Sequence, residues 1–148
     1  MKNTQQEIIE WFSKAVPNPT QANKRVQIAV HIEEFAEMFS GIAADDETAA
    51  RLLSELKESA EKTSEYLKAN AHVNIRVDDP VELLDSLCDQ QVTANGVGWM
   101  FGYDMIGSLA EVSDSNNSKF VDGMPIFNNQ GKIGKGPDYF EPDLKKFC

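Results

Sequence analysis

Apolar positions recur at helical spacing along most of the chain and lose that spacing after Lys119. Thr4-Gln5-Gln6-Glu7 has the form of a capping box, and Ile8, Ile9, Trp11, Phe12 and Ala15 behind it predict a short amphipathic helix to about Val16. Pro17 and Pro19 end it. Thr20 is a good N-cap for a second helix to about Ala44. At about 100° per residue its stripe is Ile28, Ile32, Phe35, Phe39 and Ile42, with Val26 and Val30 on the side where its glutamates point.

Asp45 and Asp46 open a third helix to about Ala69, with Ala49, Leu52, Leu53, Leu56, Ala60, Tyr66 and Leu67 in phase. Its Glu55, Lys57, Glu58, Glu61 and Lys62 make it read as a surface layer. After a linker at Asn74 to Asp79, Asp79-Pro80 supplies an N-cap and a first-turn proline for a fourth helix running towards Tyr103. That helix is apolar on more than one side (Leu83, Leu84, Leu87, Val92, Val97, Trp99), which predicts an interior helix that also suits an interface. Gly96 and Gly98 each cost a helix about 1 kcal/mol against alanine and predict the close approach of another backbone.

Asp104 caps a fifth helix through Met105, Ile106, Leu109 and Val112, ending near Asp114 to Asn117. Met124 to Phe127 and Lys132 to Lys135, joined by Asn128-Asn129-Gln130-Gly131, read as a small hairpin. Gly136 to Pro142 reads as an extended tail lying over the helices. The expected fold is therefore all-α: a bundle of about five helices in one domain over 1–148. An N-terminal helix and linker fill 1–19, the helical core 20–118, and a non-helical C-terminal hairpin and tail 119–148.

Composition narrows the function. Hydrophobic residues at 41% and charged residues at 26% are those of an ordinary globular protein. A net charge of −10 without a basic stripe argues against a nucleic-acid partner, since binding phosphate chains needs lysines and arginines to displace counterions. No apolar run approaches the roughly 18 residues of a membrane span, and no signal-peptide layout opens the chain. Cys88 and Cys148 have neither zinc-site nor disulfide-framework spacing. A cytoplasmic protein with no membrane partner is expected.

The chemistry centres on Glu33-Glu34-x-x-Glu37 of the second helix. Like charges beside apolar neighbours repel one another and lose hydration, so they favour a cation among them; the plain alternative is a solvated acidic face. On the fourth helix Glu82, Asp85 and Asp89 share a second face. If Glu34 and Glu37 face Asp85 and Asp89, the all-oxygen set suits Mg²⁺ or Mn²⁺ with phosphate oxygens as further ligands. Such an ion polarises a phosphoryl oxygen and activates a water, which Glu33 or Glu82 could orient or deprotonate.

Asn116 and Lys119 supply an amide and a point charge for phosphate oxygens, and Lys132 and Lys135 either reach a triphosphate or stay solvated. His31, beside the acids, reads as a packed or hydrogen-bonding histidine rather than a catalytic one. Walker-type phosphate loops, dinucleotide fingerprints and Gly-x-Ser-x-Gly elbows are absent from the sequence.

Glu33-Glu34-x-x-Glu37, an acidic helix ending in Asp89, Phe101-Gly102-Tyr103-Asp104, Glu111-Val112 and Asn116-Asn117-Ser118-Lys119 resemble the MazG-like, all-α nucleoside triphosphate pyrophosphohydrolase superfamily. Lys-Phe-x-Asp-Gly-x-Pro (Lys119 to Pro125) and Lys-Gly-Pro-x-Tyr-Phe (Lys135 to Phe140) resemble its phosphoribosyl-ATP pyrophosphohydrolase-like branch of phages and bacteria. The likeness spans roughly residues 20 to 148.

The resemblance implies Mg²⁺-dependent hydrolysis between the α and β phosphates of a nucleotide by dimers or tetramers. It implies Glu34, Glu37 and Asp89 as metal ligands with Glu33 nearby, and Asn116 and Lys119 at phosphate. One departure stands out: the usual Glu-x-x-Asp ending at Asp89 is here Ser86-Leu87-Cys88-Asp89. Either Asp85 substitutes for the missing glutamate or the motif shifts to Glu82-Leu83-Leu84-Asp85, and spacing to Gly102-Tyr103-Asp104 favours the first. The competing readings are a non-enzymatic acidic helical module that captures a basic protein surface, and phosphoribosyl-ATP pyrophosphohydrolase proper.

Overall fold

The computed structural model describes residues 3–128 and 132–148, so Asn129, Gln130 and Gly131 of the expected hairpin turn lie outside the described residues. The fold is all-α, with five α-helices among the described residues: α1 (Thr4–Ala15), α2 (Gln21–Met38), α3 (Glu47–Ala69), α4 (Pro80–Met100) and α5 (Met105–Asn117). Local caps set the starts. Asp46 accepts the amide of Ala49 at 2.7 Å, Asp79 those of Val81 at 2.9 Å and Glu82 at 3.1 Å, and Asp104 that of Gly107 at 2.9 Å. Thr20 and Asn23 bond reciprocally, side chain to backbone, at 3.2 and 2.9 Å.

Two boundaries differ from expectation. The cap of α1 is Asn3, which accepts Gln6 N at 3.3 Å, so Thr4 is the first helical residue instead; asparagine is the stronger N-cap of the two. α2 stops at Met38 rather than near Ala44, because Ser40-Gly41 is poor helix sequence: a 3-10 turn over Phe39–Gly41 follows and Ile42 is extended.

The chain divides into two compact units, Asn18–Arg76 and Met1–Pro17 with Val77–Cys148. The first is a helical hairpin. Arg25 meets Leu67 while Ala29 meets Ser64, so α2 and α3 run antiparallel. Their contact is made by small residues: Ala29, Ala36, Ala60 and Ser64 are buried. The expected stripe of α2 is displaced from this face, since Phe35 and Ile42 are exposed and the buried positions are Arg25, Ala29 and Ala36. α3 is more than a surface layer for the same reason, although Arg51–Glu55, Lys57–Glu61 and Lys62–Glu58 do form the solvated outer face expected of it.

In the second unit α5 is central, touching α1, α4 and a C-terminal 3-10 turn at Lys145–Phe147. α4 is not interior within the chain: its only buried position is Gly98, and Val81, Leu84, Val92, Trp99 and Met100 are exposed. Among the described residues, what crowds Gly98 is a side chain and not a second helix's backbone. A methyl at Gly98 would lie 2.2 Å from Met105 Sδ, and one at Gly96 would meet open space.

Past α5, Asp122-Gly123 turns the chain with positive φ at both residues (49° and 74°) and closes a Val121–Met124 bridge, a two-residue turn the sequence reading passed over. The expected hairpin arms do pair, antiparallel, through Phe127 and Ile133, with Gly134 N donating to Ile126 O at 2.7 Å. No helix among the described residues is long and apolar enough to cross a membrane.

Candidate functional site

The sequence-predicted residues fall on both units, and each set has its own surroundings. On α2, Glu34 and Glu37 are exposed, three positions apart and therefore on one face. Neither carboxylate has a hydrogen-bond or ion-pair partner among the described residues. Glu33 is different: Lys68 of α3 reaches across the hairpin and pairs with its Oε2, the ammonium side chain being only 21% exposed. Lys68 thus spends the charge of one of the three clustered acids, a partnership between residues 35 apart that helical periodicity does not reveal. His31 is exposed, so of the two roles expected of it packing is not the one it takes.

On α4, Asp85 and Asp89 are one turn apart and exposed, and their carboxylates are likewise without a partner among the described residues. Glu82, the alternative to Asp85, is exposed one turn earlier. Among the described residues there is no group of three or more His, Cys, Asp or Glu side chains that could hold a metal ion. The donors themselves are hard, charged oxygens open to solvent, a set whose chemistry fits Mg²⁺ or Mn²⁺ and not a soft metal.

Asn116 and Lys119 are brought together. Lys119 Nζ donates to Asn116 Oδ1 at 2.7 Å where α5 gives way to the tail. The ammonium has only donors, so it takes one lone pair of the amide oxygen and leaves the Asn116 Nδ2–H₂ group and its own remaining N–H groups as donors. The turn is fastened from two sides. From α1, Trp11 Nε1 donates to Asn116 O at 2.9 Å, and its ring stacks on Phe120 at 5.4 Å with planes 14° apart. From the tail, Gly136 N donates to Lys119 O at 3.3 Å, Ser115 Oγ donates to Phe140 O at 2.8 Å, and Phe140 N donates to Ser118 Oγ at 3.2 Å. Gly136 is required there, since a Cβ would stand 2.8 Å from Val121 Cγ2 and 3.1 Å from Lys119 O.

Lys135 precedes that glycine, but its ammonium lies 4.4 Å from the Tyr139 ring centroid and 3.7 Å from Glu141 Oε1, engaged by the tail itself. Lys132 is exposed. Further along, Glu111 latches the C-terminus, accepting from Lys146 Nζ at 3.0 Å and from Asp143 N at 3.1 Å. The hydrogen bond from Lys146, then that from Asp143, hold its carboxyl below the usual glutamate range against the opposing effect of burial.

Two depressions, of about 430 Å³ beside Met105 and Ile106 and about 290 Å³ beside Phe39 and Leu53, contain none of the predicted site residues. Sequence reasoning missed Trp11, Ser115, Ser118 and Lys68. Only Trp11 carried a signal, an aromatic with a polar edge on a short amphipathic helix. No family model, no curated protein and no solved structure matches the chain.

Proposed function

We propose that this chain is a Mg²⁺-dependent nucleotide pyrophosphohydrolase of the MazG-like, phosphoribosyl-ATP pyrophosphohydrolase-like kind, acting in the cytoplasm and cleaving a (deoxy)nucleotide to its monophosphate and pyrophosphate. The observation that carries the reading is that Glu34 and Glu37 on α2, and Asp85 and Asp89 on α4, are four solvent-facing carboxylates spent on no partner among the described residues, while the adjacent Glu33 is spent on Lys68.

Glu34 and Glu37 would supply oxygen ligands on α2, and Asp85 and Asp89 on α4. Mg²⁺ or Mn²⁺ held there would supply neutralisation of phosphate charge and a more acidic water. The chain's own residues do the rest. Asn116 Nδ2–H₂ and the Lys119 ammonium donate to phosphoryl oxygens, and Lys135 joins them if it leaves Tyr139 and Glu141. A spare carboxylate accepts the proton of the attacking water as its oxygen bonds to the α phosphorus and the bond to the bridging oxygen breaks, releasing pyrophosphate. Glu33 fills that role if Lys68 lets it go; otherwise Glu82, with no such pair among the described residues, does.

The exposed apolar residues of α4 and its C-terminal end, Val92, Trp99, Met100, Phe101 and the neighbouring Ile106, support assembly into a homodimer or tetramer. Pyrophosphate release from a panel of nucleoside triphosphates and phosphoribosyl-ATP, with Mg²⁺, Mn²⁺ or EDTA, tests the reading and ranks substrates. Metal-dependent release is expected. Its absence across the panel from folded protein would return weight to a non-enzymatic acidic binding module.

A further inference from the structure

Resting on that reading of Asn116 and Lys119 as phosphate contacts, we propose that Trp11 is a positioning residue for phosphate recognition: its indole N–H and ring face hold the turn from Asn116 to Phe120 in the form that presents Asn116 and Lys119 to a phosphoryl group.

The last carbonyls of a helix have no intrahelical donor, and a turn hanging from them frays unless something else binds them. At α5 that something is an indole from a helix 105 residues earlier in the chain. Asn116 O accepts from Trp11 Nε1 at 2.9 Å and from Lys119 N at 3.2 Å, so the indole and the lysine amide meet on one oxygen. Phe120, directly after Lys119, is held by the same indole through its face, at 5.4 Å and 14°. One side chain therefore grips the segment at both ends, and between its two grips lies Lys119, whose ammonium is already aligned on Asn116 Oδ1 at 2.7 Å.

Tryptophan alone among the aromatic side chains combines a ring N–H that only donates with a large stacking face. A turn ordered beforehand costs an incoming anion less than one ordered on arrival. Trp11 itself offers the anion nothing: its donor is spent on a carbonyl.

The experiment is calorimetric titration of inorganic tripolyphosphate into the full chain and its Trp11→Phe, Lys119→Ala and doubly substituted forms. Phenylalanine keeps a ring against Phe120 and removes the N–H. The expected result is affinity weakened about 3- to 10-fold by Trp11→Phe at unchanged stoichiometry, the scale of one lost hydrogen bond. Lys119→Ala should weaken it at least as much, and the double form by less than the product of the two single losses, because Trp11 acts through Lys119 as well as through Asn116. A merely structural role lowers the stoichiometry instead, or gives losses that multiply. Either of these, or wild-type affinity in Trp11→Phe beside weakened Lys119→Ala, overturns the inference and leaves the phosphate reading standing. Indifference to Lys119→Ala, or no binding by the wild type, overturns the phosphate reading and the inference with it.

A second measurement needs no change at Trp11. With Trp99→Phe leaving Trp11 as the lone tryptophan, its emission should change saturably with tripolyphosphate, and the change should vanish when Lys119→Ala is added. Emission that stays constant while calorimetry shows the site filled overturns the inference.

Discussion

Ser64 donates its hydroxyl to the carbonyl of Ala29 at 2.7 Å, joining α3 to α2 at a level where both residues are shut off from solvent. The closeness that buries Ala29 and Ala36 suits a residue that is small and still satisfies its own polar atom. Ser64→Ala keeps the spacing and loses the bond, for an expected cost of about 1 kcal/mol. Ser64→Leu wedges the helices apart and should cost about 1 to 3 kcal/mol or more. Urea midpoints of the two variants check the order; a Leu variant as stable as the Ala variant would mean the contact is loose.

Arg25 is buried, and its guanidinium donates to the carbonyls of Leu67, Ala71 and Val73 at 2.9, 3.1 and 3.2 Å and so closes the C-terminal end of α3 and the loop behind it. Arg25→Met is expected to destabilise by about 3 kcal/mol, because three carbonyls lose a charged donor at once. Arg25→Lys should recover little, since an ammonium cannot reproduce the planar fork. Thermal unfolding of the two variants checks this, and full recovery by lysine would refute the fork argument.

Helix starts were legible in the sequence because a cap is a local event: Thr20, Asp46, Asp79 and Asp104 each bond an amide two or three residues on. Faces were less so. Scanning for large apolar residues selected Phe35 and Ile42 on α2, whereas the contact with α3 runs through two alanines and an arginine that such a scan passes over. The apolar wealth of α4 states what its side chains prefer, not which surface covers them, and within this chain they are exposed. For the site, the Asn116–Lys119 pair was readable at its three-residue spacing. The supports for it, Trp11 and Phe140, come from distant segments, and so does the Lys68 that occupies Glu33.

Metal-dependent turnover should divide the acids. On the proposed function, Glu37→Gln and Asp89→Asn each remove a charge that has no partner among the described residues, so activity is expected to fall at least about 100-fold while stability stays within about 0.5 kcal/mol of the wild type. Glu33→Gln releases Lys68 and should cost stability as well as rate. Pyrophosphate release together with melting curves separates the two patterns. Turnover intact in both Glu37→Gln and Asp89→Asn would place the chemistry elsewhere.

Glu111 makes the C-terminal latch sensitive to acid. Its carboxyl is held below the ordinary value of 4.5 by the hydrogen bond from Lys146 and then by that from the Asp143 amide. A carboxylate whose folded pKa is lowered adds stability that is fully present above its unfolded pKa and is lost as pH falls through the folded one. The latch should therefore be intact at neutral pH and weaken from about pH 4.5 downwards. The same tail rests on α5 through Phe147, whose carbonyl accepts Asp104 N at 2.9 Å and whose ring fills the space where a Cβ on Gly107 would lie, 2.5 Å from its nearest ring atom. Hydrogen exchange at the Asp104 amide reads the latch directly. Corrected for intrinsic rates, protection is expected to hold at pH 6 and fall below pH 4.5; in Glu111→Gln it should already be reduced at pH 6 and show no step. A step of equal size in the glutamine variant would assign the acid sensitivity to another carboxylate.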